Sequence, residues 1–183
     1  MTSLLRFEQV ALHRGGRLLF EKLDLALAPG EAVQVTGPNG SGKSSLIRLA
    51  AGLLRQDEGQ IECSPLALAD DNLALDRELP LRRALRFWNA EMSEAMHAAG
   101  IDHLSDVPVR LLSSGQGKRA ALARVFASGA PLWLLDEPLN ALDEDGVARL
   151  SQMIEQHRAK GGGIIAASHQ PMVGDWRALE LSL

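Results

Sequence analysis

Residues 37 to 44 read Gly37-Pro38-Asn39-Gly40-Ser41-Gly42-Lys43-Ser44, an unbroken match to the phosphate-binding P-loop pattern. Few local patterns constrain a fold more tightly. Small residues let successive backbone N–H groups turn inward around a phosphate, a lysine adds a point charge to the β and γ phosphates, and the following hydroxyl can reach Mg²⁺. The pattern needs a strand before it and a helix after it. Here Glu31-Ala32-Val33-Gln34-Val35-Thr36 is a short β-prone segment, and Ser45-Leu46-Ile47-Arg48-Leu49-Ala50-Ala51 has helical character and stops at Gly52. A nucleotide site is therefore expected at residues 37 to 44, with Ser45 immediately behind it.

The second half of the chain narrows the class. Leu112-Ser113-Ser114-Gly115-Gln116 precedes Gly117-Lys118-Arg119-Ala120-Ala121-Leu122-Ala123-Arg124-Val125-Phe126, whose apolar residues at 121, 122, 125 and 126 have helical spacing. Ser113 and Gly115 then sit at a helix start, where free N–H groups and the positive dipole end favour a phosphate. Further on, Leu132-Trp133-Leu134-Leu135 is an apolar run of the kind found in strands buried on both faces, and it ends at Asp136-Glu137.

Together these segments resemble the ATP-binding cassette ATPases over nearly the whole chain. Residues 37–44 look like Walker A. Leu112 to Gln116 resembles the family signature, with Ser114 where glycine is usual. Leu132 to Asp136 resembles Walker B, Asn140-Ala141-Leu142-Asp143 the D-loop, and His169, after Ile164-Ile165-Ala166-Ala167-Ser168, the switch histidine. The resemblance implies an α/β P-loop NTPase fold: a mainly parallel sheet core, an N-terminal antiparallel β part and a small helical subdomain near residues 73–128, all within one domain, 1–183. It implies ATP and Mg²⁺ as cofactors. By the same resemblance Lys43 neutralises phosphate charge, Ser44 and Asp136 hold Mg²⁺, Glu137 polarises the attacking water, and His169 contacts the γ-phosphate. The signature, through Ser113 and Gly115, serves the nucleotide of a second copy, so a dimer with two equivalent shared sites is expected.

Two positions depart from the family pattern. No glutamine occupies the expected Q-loop place, and Asn72, beside Asp70 and Asp71, is the nearest replacement; one methylene shorter, it would touch Mg²⁺ through water or not at all. The chain contains no tyrosine to stack on adenine. Arg14 falls near that position, where it either lies against the base or is a solvated hairpin arginine.

Finer resemblance is to the ATPase subunits of the bacterial haem exporter of cytochrome c maturation. It rests on Leu85-Arg86-Phe87-Trp88, the run from Ala130 to Gly146, and Ser168-His169-Gln170. Asn140 stands where that group often has threonine preceded by phenylalanine. The resemblance implies transmembrane partner subunits and a peripheral place on the cytoplasmic face of the bacterial inner membrane. Alternatives are the ATPase of another small transporter, a soluble cassette protein acting as a mechanical switch on nucleic acid or ribosomes, and a P-loop small-molecule kinase. The kinase reading explains residues 37–44 but not 112–116.

Composition bears on these options. With 19 basic and 23 acidic residues the net charge is −4, so no broad electrostatic footprint for nucleic acid is expected. Arg82-Arg83 reads as a solvated helix face. No apolar run approaches the roughly 20 residues that span a bilayer, and Met1-Thr2-Ser3-Leu4-Leu5-Arg6 lacks the apolar core of a secretory signal. The single cysteine, Cys63, excludes an internal disulfide. His13, His97, His103 and His157 receive no functional role. At 183 residues the chain is short for a cassette ATPase but can bury a substantial core.

Two antiparallel strands are expected within residues 4 to 28, joined near Arg14-Gly15-Gly16-Arg17 and ended by Pro29-Gly30. Helices are expected over Leu81–Trp88, Glu91–Ala99 and Glu144–Lys160, the last with Val147, Leu150 and Ile154 on one face and Gly161-Gly162-Gly163 as its stop. A parallel sheet would gather Asp136, Glu137 and His169 near the P-loop, because such sheets bind ligands beyond the carboxyl ends of their strands.

Overall fold

The computed structural model describes residues 3–88 and 92–182. Met1, Thr2 and Leu183 lie outside the described residues, as does Glu91, the expected start of the second short helix.

The N-terminal hairpin forms from β1 (Leu5–Arg14) and β2 (Arg17–Leu27), antiparallel and joined at Gly15-Gly16. Both glycines have positive φ, +59° and +75°, which is the requirement of the tight two-residue turn whose twist matches that of the strands. A third strand, β4 (Glu58–Cys63), pairs with the other edge of β1, so the antiparallel sheet runs β2-β1-β4. The register slips between Phe7 and Val10, where Gln9 takes φ +48° and its N–H donates to Asp24 Oδ1 at 2.7 Å. Gly59 sits opposite; a Cβ there would collide with the carbonyl oxygens of Glu8 and Gln9.

The second sheet is parallel throughout. Its strands are β3 (Ala32–Thr36), β5 (Leu66–Ala69), β6 (Leu132–Asp136), β7 (Gly163–Ala167) and β8 (Arg177–Glu180), in the order β5-β6-β7-β3-β8. Every residue of β6 and β7 is buried, which explains their unbroken apolar character. Alternation still sorts their side chains. Leu132, Leu134, Ile165 and Ala167 pack with Leu5, Phe7, Leu27, Val33, Val35 and α1 (Lys43–Ala50), between the two sheets. Trp133, Leu135, Ile164 and Ala166 face the other way, beneath α4 (Ser114–Ala127) and α5 (Glu144–Ala159).

A third cluster joins α2 (Leu81–Arg86), α3 (Ser93–Ala98) and the far side of α4 through Leu81, Leu85, Met96, Ile101, Ala120 and Ala123. Thus α4 is buried on two faces, the sheet taking Ala121, Leu122 and Val125. The first expected helix ends early: α2 closes at Arg86, leaving Phe87 and Trp88 in a turn with Phe87 85% exposed. Helix α5 stops one residue before Lys160, and Gly163, expected in the stop, instead begins β7. Strands β5 and β8, short and terminal in the sheet order, carried no distinct sequence signal. No helix among the described residues is long and apolar enough to cross a membrane.

Candidate functional site

The P-loop leaves the carboxyl end of β3 and runs into α1, which begins at Lys43. Gly37, Gly40 and Gly42 all have positive φ, between +84° and +138°. A Cβ at Gly37 would collide with the Leu181 carbonyl oxygen, whereas one at Gly40 would project into open space. No side chain caps α1. The loop thus presents backbone and a helix start, and no bulk, to a cavity of about 400 Å³ lined by Arg14, Asn39, Gly40, Lys43, Ser44, Ser45 and Glu137 among others. The buried hydroxyl of Ser41 has no hydrogen-bond partner among the described residues. Pro38 contributes its carbonyl: Lys43 Nζ donates to Gly37 O at 2.8 Å and to Pro38 O at 3.0 Å, so the ammonium lies folded along the inside of the loop.

Parallel strands bring the acidic residues to the same place. Ser44 Oγ donates to Asp136 Oδ1 at 2.9 Å, across 92 residues of sequence. Burial raises the Asp136 carboxyl above its ordinary 3.8, the nearby charges of Asp71 and Glu137 act in the same direction, and the Ser44 hydrogen bond and Arg48 oppose them in part. Hard oxygen donors, a hydroxyl beside a carboxylate under a phosphate loop, suit Mg²⁺ and fit poorly with softer metals.

Glu137 follows directly, with φ +46° and its N–H bonded to Ala167 O at 2.8 Å at the end of β7. That bond ties the ends of two neighbouring strands and turns the Glu137 side chain toward His169, whose Nδ1 lies 2.9 Å from Glu137 Oε2. His169 itself is held by its neighbours: buried Ser168 bonds Gln170, and Gln34 Nε2 on β3 donates to Gln170 O at 2.7 Å. Gln34 was passed over in the sequence, although a polar residue within an otherwise apolar central strand is the available signal.

Arg14 joins the same cavity, its Nη1 donating to Ser45 Oγ at 3.3 Å. Asn72 does not. It is exposed, its Oδ1 accepts the Ala74 N–H at 3.4 Å, and it lines a separate cavity with Ser113, Ser114, Lys118 and Asn140. The nearest link from that region to Asp136 is Lys118, whose Nζ lies 3.4 Å from Asp71 Oδ1 and 3.5 Å from Asp136 O.

Ser113 is the N-cap of α4 in a reciprocal capping box: Gln116 N–H donates to Ser113 Oγ at 3.3 Å and Ser113 N–H to Gln116 Oε1 at 2.9 Å. Gly115 presses against the next loop, where a Cβ would lie 2.6 Å from Ala141 O. Among the described residues, Ser113 and Gly115 line cavities other than the one lined by the P-loop of their own chain.

Comparison with known proteins agrees with this geometry. Residues 20–140 match the ABC transporter family. The chain is 54% identical over 177 residues to the "cytochrome c biogenesis ATP-binding export protein CcmA" of Sphingopyxis alaskensis, covering 92% of this chain and 91% of that one. It is 56% identical over 168 residues to the protein of the same name from Novosphingobium aromaticivorans, with 89% and 87% covered. Among solved structures, the ATP-binding subunit of an ABC transporter superposes with a TM-score of 0.84 at 22% identity, over 91% of this chain and 80% of that one. Another, cbiO1 of Clostridium perfringens, part of an ABC transporter complex, gives 0.77 at 24% identity, over 93% and 80%. By family match, by close relatives aligned almost end to end and by fold, the chain belongs to the ATP-binding proteins of the ABC transporter family.

Proposed function

We propose that this chain is the ATP-hydrolysing subunit of a membrane transporter in cytochrome c biogenesis, with haem as the species handled, working as two copies docked beneath transmembrane partners on the cytoplasmic face of the inner membrane. One observation carries the hydrolytic reading: the Ser44–Asp136 and Glu137–His169 pairs meet at the carboxyl ends of adjacent strands, beside a glycine loop that holds an inward-facing lysine. The biological setting rests on the relatives' printed role in cytochrome c biogenesis and export.

In this reading the loop amides and Lys43 Nζ bind the β and γ phosphates, the ammonium exchanging the Gly37 and Pro38 carbonyls for phosphate oxygens. Ser44 and Asp136 would hold Mg²⁺, which would supply positive charge against the phosphate oxygens and offset the cost of burying the Asp136 carboxylate. Glu137 accepts the proton of the water that attacks the γ-phosphorus, and His169, oriented by its Nδ1 contact to Glu137, turns Nε2 toward the γ-phosphate. Arg14, beside Ser45, lies along the base. Ser113 and Gly115 complete the partner copy's site from the start of α4, which is why they stand apart from the P-loop of their own chain.

The test is made in the host. A chromosomal Lys43→Ala allele is expected to abolish ATPase activity in the purified transporter complex and to stop accumulation of holocytochromes c, while the protein itself stays at normal abundance. Normal holocytochrome c levels with a dead ATPase would remove the cytochrome assignment and leave the hydrolytic one standing.

A further inference from the structure

We infer that Arg119 is a positioning residue that locks the start of α4, proposed above to meet the second copy, to the loop Asn140–Asp143, so that these two segments move as one body. The inference deepens the shared-nucleotide reading proposed above and rests on it.

Arg119 follows Gly115 by one helical turn on α4, and its side chain is only 12% exposed. Its guanidinium forks. One nitrogen donates to Asp145 Oδ2 at 2.8 Å and to Ala99 O at 3.2 Å; the other donates to Asp143 Oδ1. Asp143 Oδ1 also accepts the Gly146 N–H at 2.9 Å as the N-cap of α5, so Arg119 grips the residue that fixes where the loop ends and the helix begins. Asp145 Oδ2 is shared with Arg149 Nε at 2.8 Å, and Arg149 reaches His97 O at 3.2 Å. Two cations and two carboxylates thus join α4, the start of α5 and the end of α3 in a neutral cluster.

The same segments also touch directly. Gly115 leaves no room for a Cβ against Ala141 O, and Ala141 takes φ +64°, a conformation in which the loop turns its carbonyl onto the helix start. A displacement of α4 relative to residues 140–143 would break the fork and this contact together. Lysine cannot replace the fork, because one ammonium on a flexible stem does not hold two carboxylates in a fixed plane. Among the described residues, the hydrogen bonds of this cluster go to Ala99, Gly146 and His97 and to one another rather than to the P-loop of the same chain, so binding ATP to a single copy makes no demand on it.

The experiment uses full-length chain carrying Glu137→Gln, to prevent turnover, with and without Arg119→Lys. Two constants are measured: affinity for a fluorescent ATP analogue at protein concentrations where the chain is monomeric, and dimer dissociation in saturating MgATP by light scattering. The expected result is monomer affinity within about twofold of the parent and a dimer weakened by about tenfold or more, since only the second step needs the start of α4 held in register. Asp145→Asn, which keeps the α5 N-cap at Asp143, is expected to move the same constant in the same direction and serves if Arg119→Lys does not fold. A parent dimer matched in strength by both variants overturns the inference alone. Equal losses in the two constants, accompanied by a lowered Tm, overturn it in favour of a merely structural ion cluster. A Glu137→Gln parent that forms no ATP-dependent dimer overturns the shared-nucleotide reading and the inference with it.

Discussion

Ser44 Oγ and Asp136 Oδ1, on the first turn of α1 and at the last residue of β6, are held 2.9 Å apart, and the carboxyl they share is buried. Because the folded state raises the Asp136 pKa above 3.8, the native protein binds a proton there that the unfolded chain has already lost. Stability from this group therefore falls as pH rises from about 3.8 through the folded value. Asp136→Asn removes that cost while keeping an acceptor for Ser44. The variant is expected to melt at a higher temperature than the parent at neutral pH, with the gap closing as the solution is acidified toward pH 4, and to lose the rise in Tm that MgATP gives the parent. Paired melting curves across pH check both parts. Asp57, Asp143 and Asp145, whose pKa values are lowered by hydrogen bonds from His13, Gly146 and Arg149 respectively, lose their contributions as pH falls, but they are common to both proteins and cancel in the comparison.

Lys43→Ala deletes an ammonium that, among the described residues, donates to Gly37 O and Pro38 O. The fold should tolerate it with a cost of about 1–2 kcal/mol, since both carbonyls lie in a loop at a cavity edge. Tight ATP binding should be lost. Nucleotide titration beside a denaturation curve separates the two, and wild-type affinity in a folded variant would sink the P-loop assignment.

Glu137→Gln keeps a side chain of the same shape beside His169 but removes the carboxylate proposed to accept a proton. Hydrolysis is expected to drop by about 10²- to 10⁴-fold, with MgATP binding retained and an ATP-dependent dimer appearing on size-exclusion with light scattering. Turnover at the parental rate, measured with the membrane partners present, would show that Glu137 is not the base.

Ser113 caps α4 and is proposed to meet the partner's nucleotide, and substitution can separate the two. Ser113→Ala removes the cap of α4 and is expected to cost about 0.5–2 kcal/mol of stability. Ser113→Asp preserves a capping oxygen for the Gln116 N–H yet places an anion where the partner's γ-phosphate would sit. It should melt like the parent and fail to form the ATP-dependent dimer in the Glu137→Gln background.

Arg14→Ala is expected to weaken ATP affinity by about tenfold or less, the range of an exposed stacking contact of roughly 1 kcal/mol. Unchanged affinity would leave Arg14 as a hairpin arginine bonded to Ser45.

The segments that meet at the candidate site were legible in the sequence because each has a local physical signature: glycines that bend the phosphate loop, an apolar run that ends in two acids, a serine at a helix start. Leu132–Leu135 was too apolar for a strand with a wet face, and the mainly parallel sheet around it was implied by the family resemblance. What escaped was set by pairing at a distance. Nothing local says that Glu58–Cys63, with its mostly polar sequence, pairs with β1, or that Gln9 leaves the ladder to bond Asp24. Arg119 and Lys118 carry no local sign of a role until α4 is seen to be buried on two faces. Asn72 was the nearest candidate for a missing glutamine, but its side chain is spent on the local turn at Ala74.

Glu137 is a glutamate in a left-handed backbone conformation, φ +46°, with its N–H committed to the neighbouring strand. L-residues with a Cβ occupy that region at a cost of about 1–3 kcal/mol, and glycine avoids most of it. A chain with glycine at 137 is therefore expected to be the more durable protein, by about 1 kcal/mol after the added flexibility of its unfolded state is counted, and an inert one. With Glu137 as the proposed base, sturdiness and turnover pull this single position in opposite directions, and the backbone strain is the cost of having a carboxylate there.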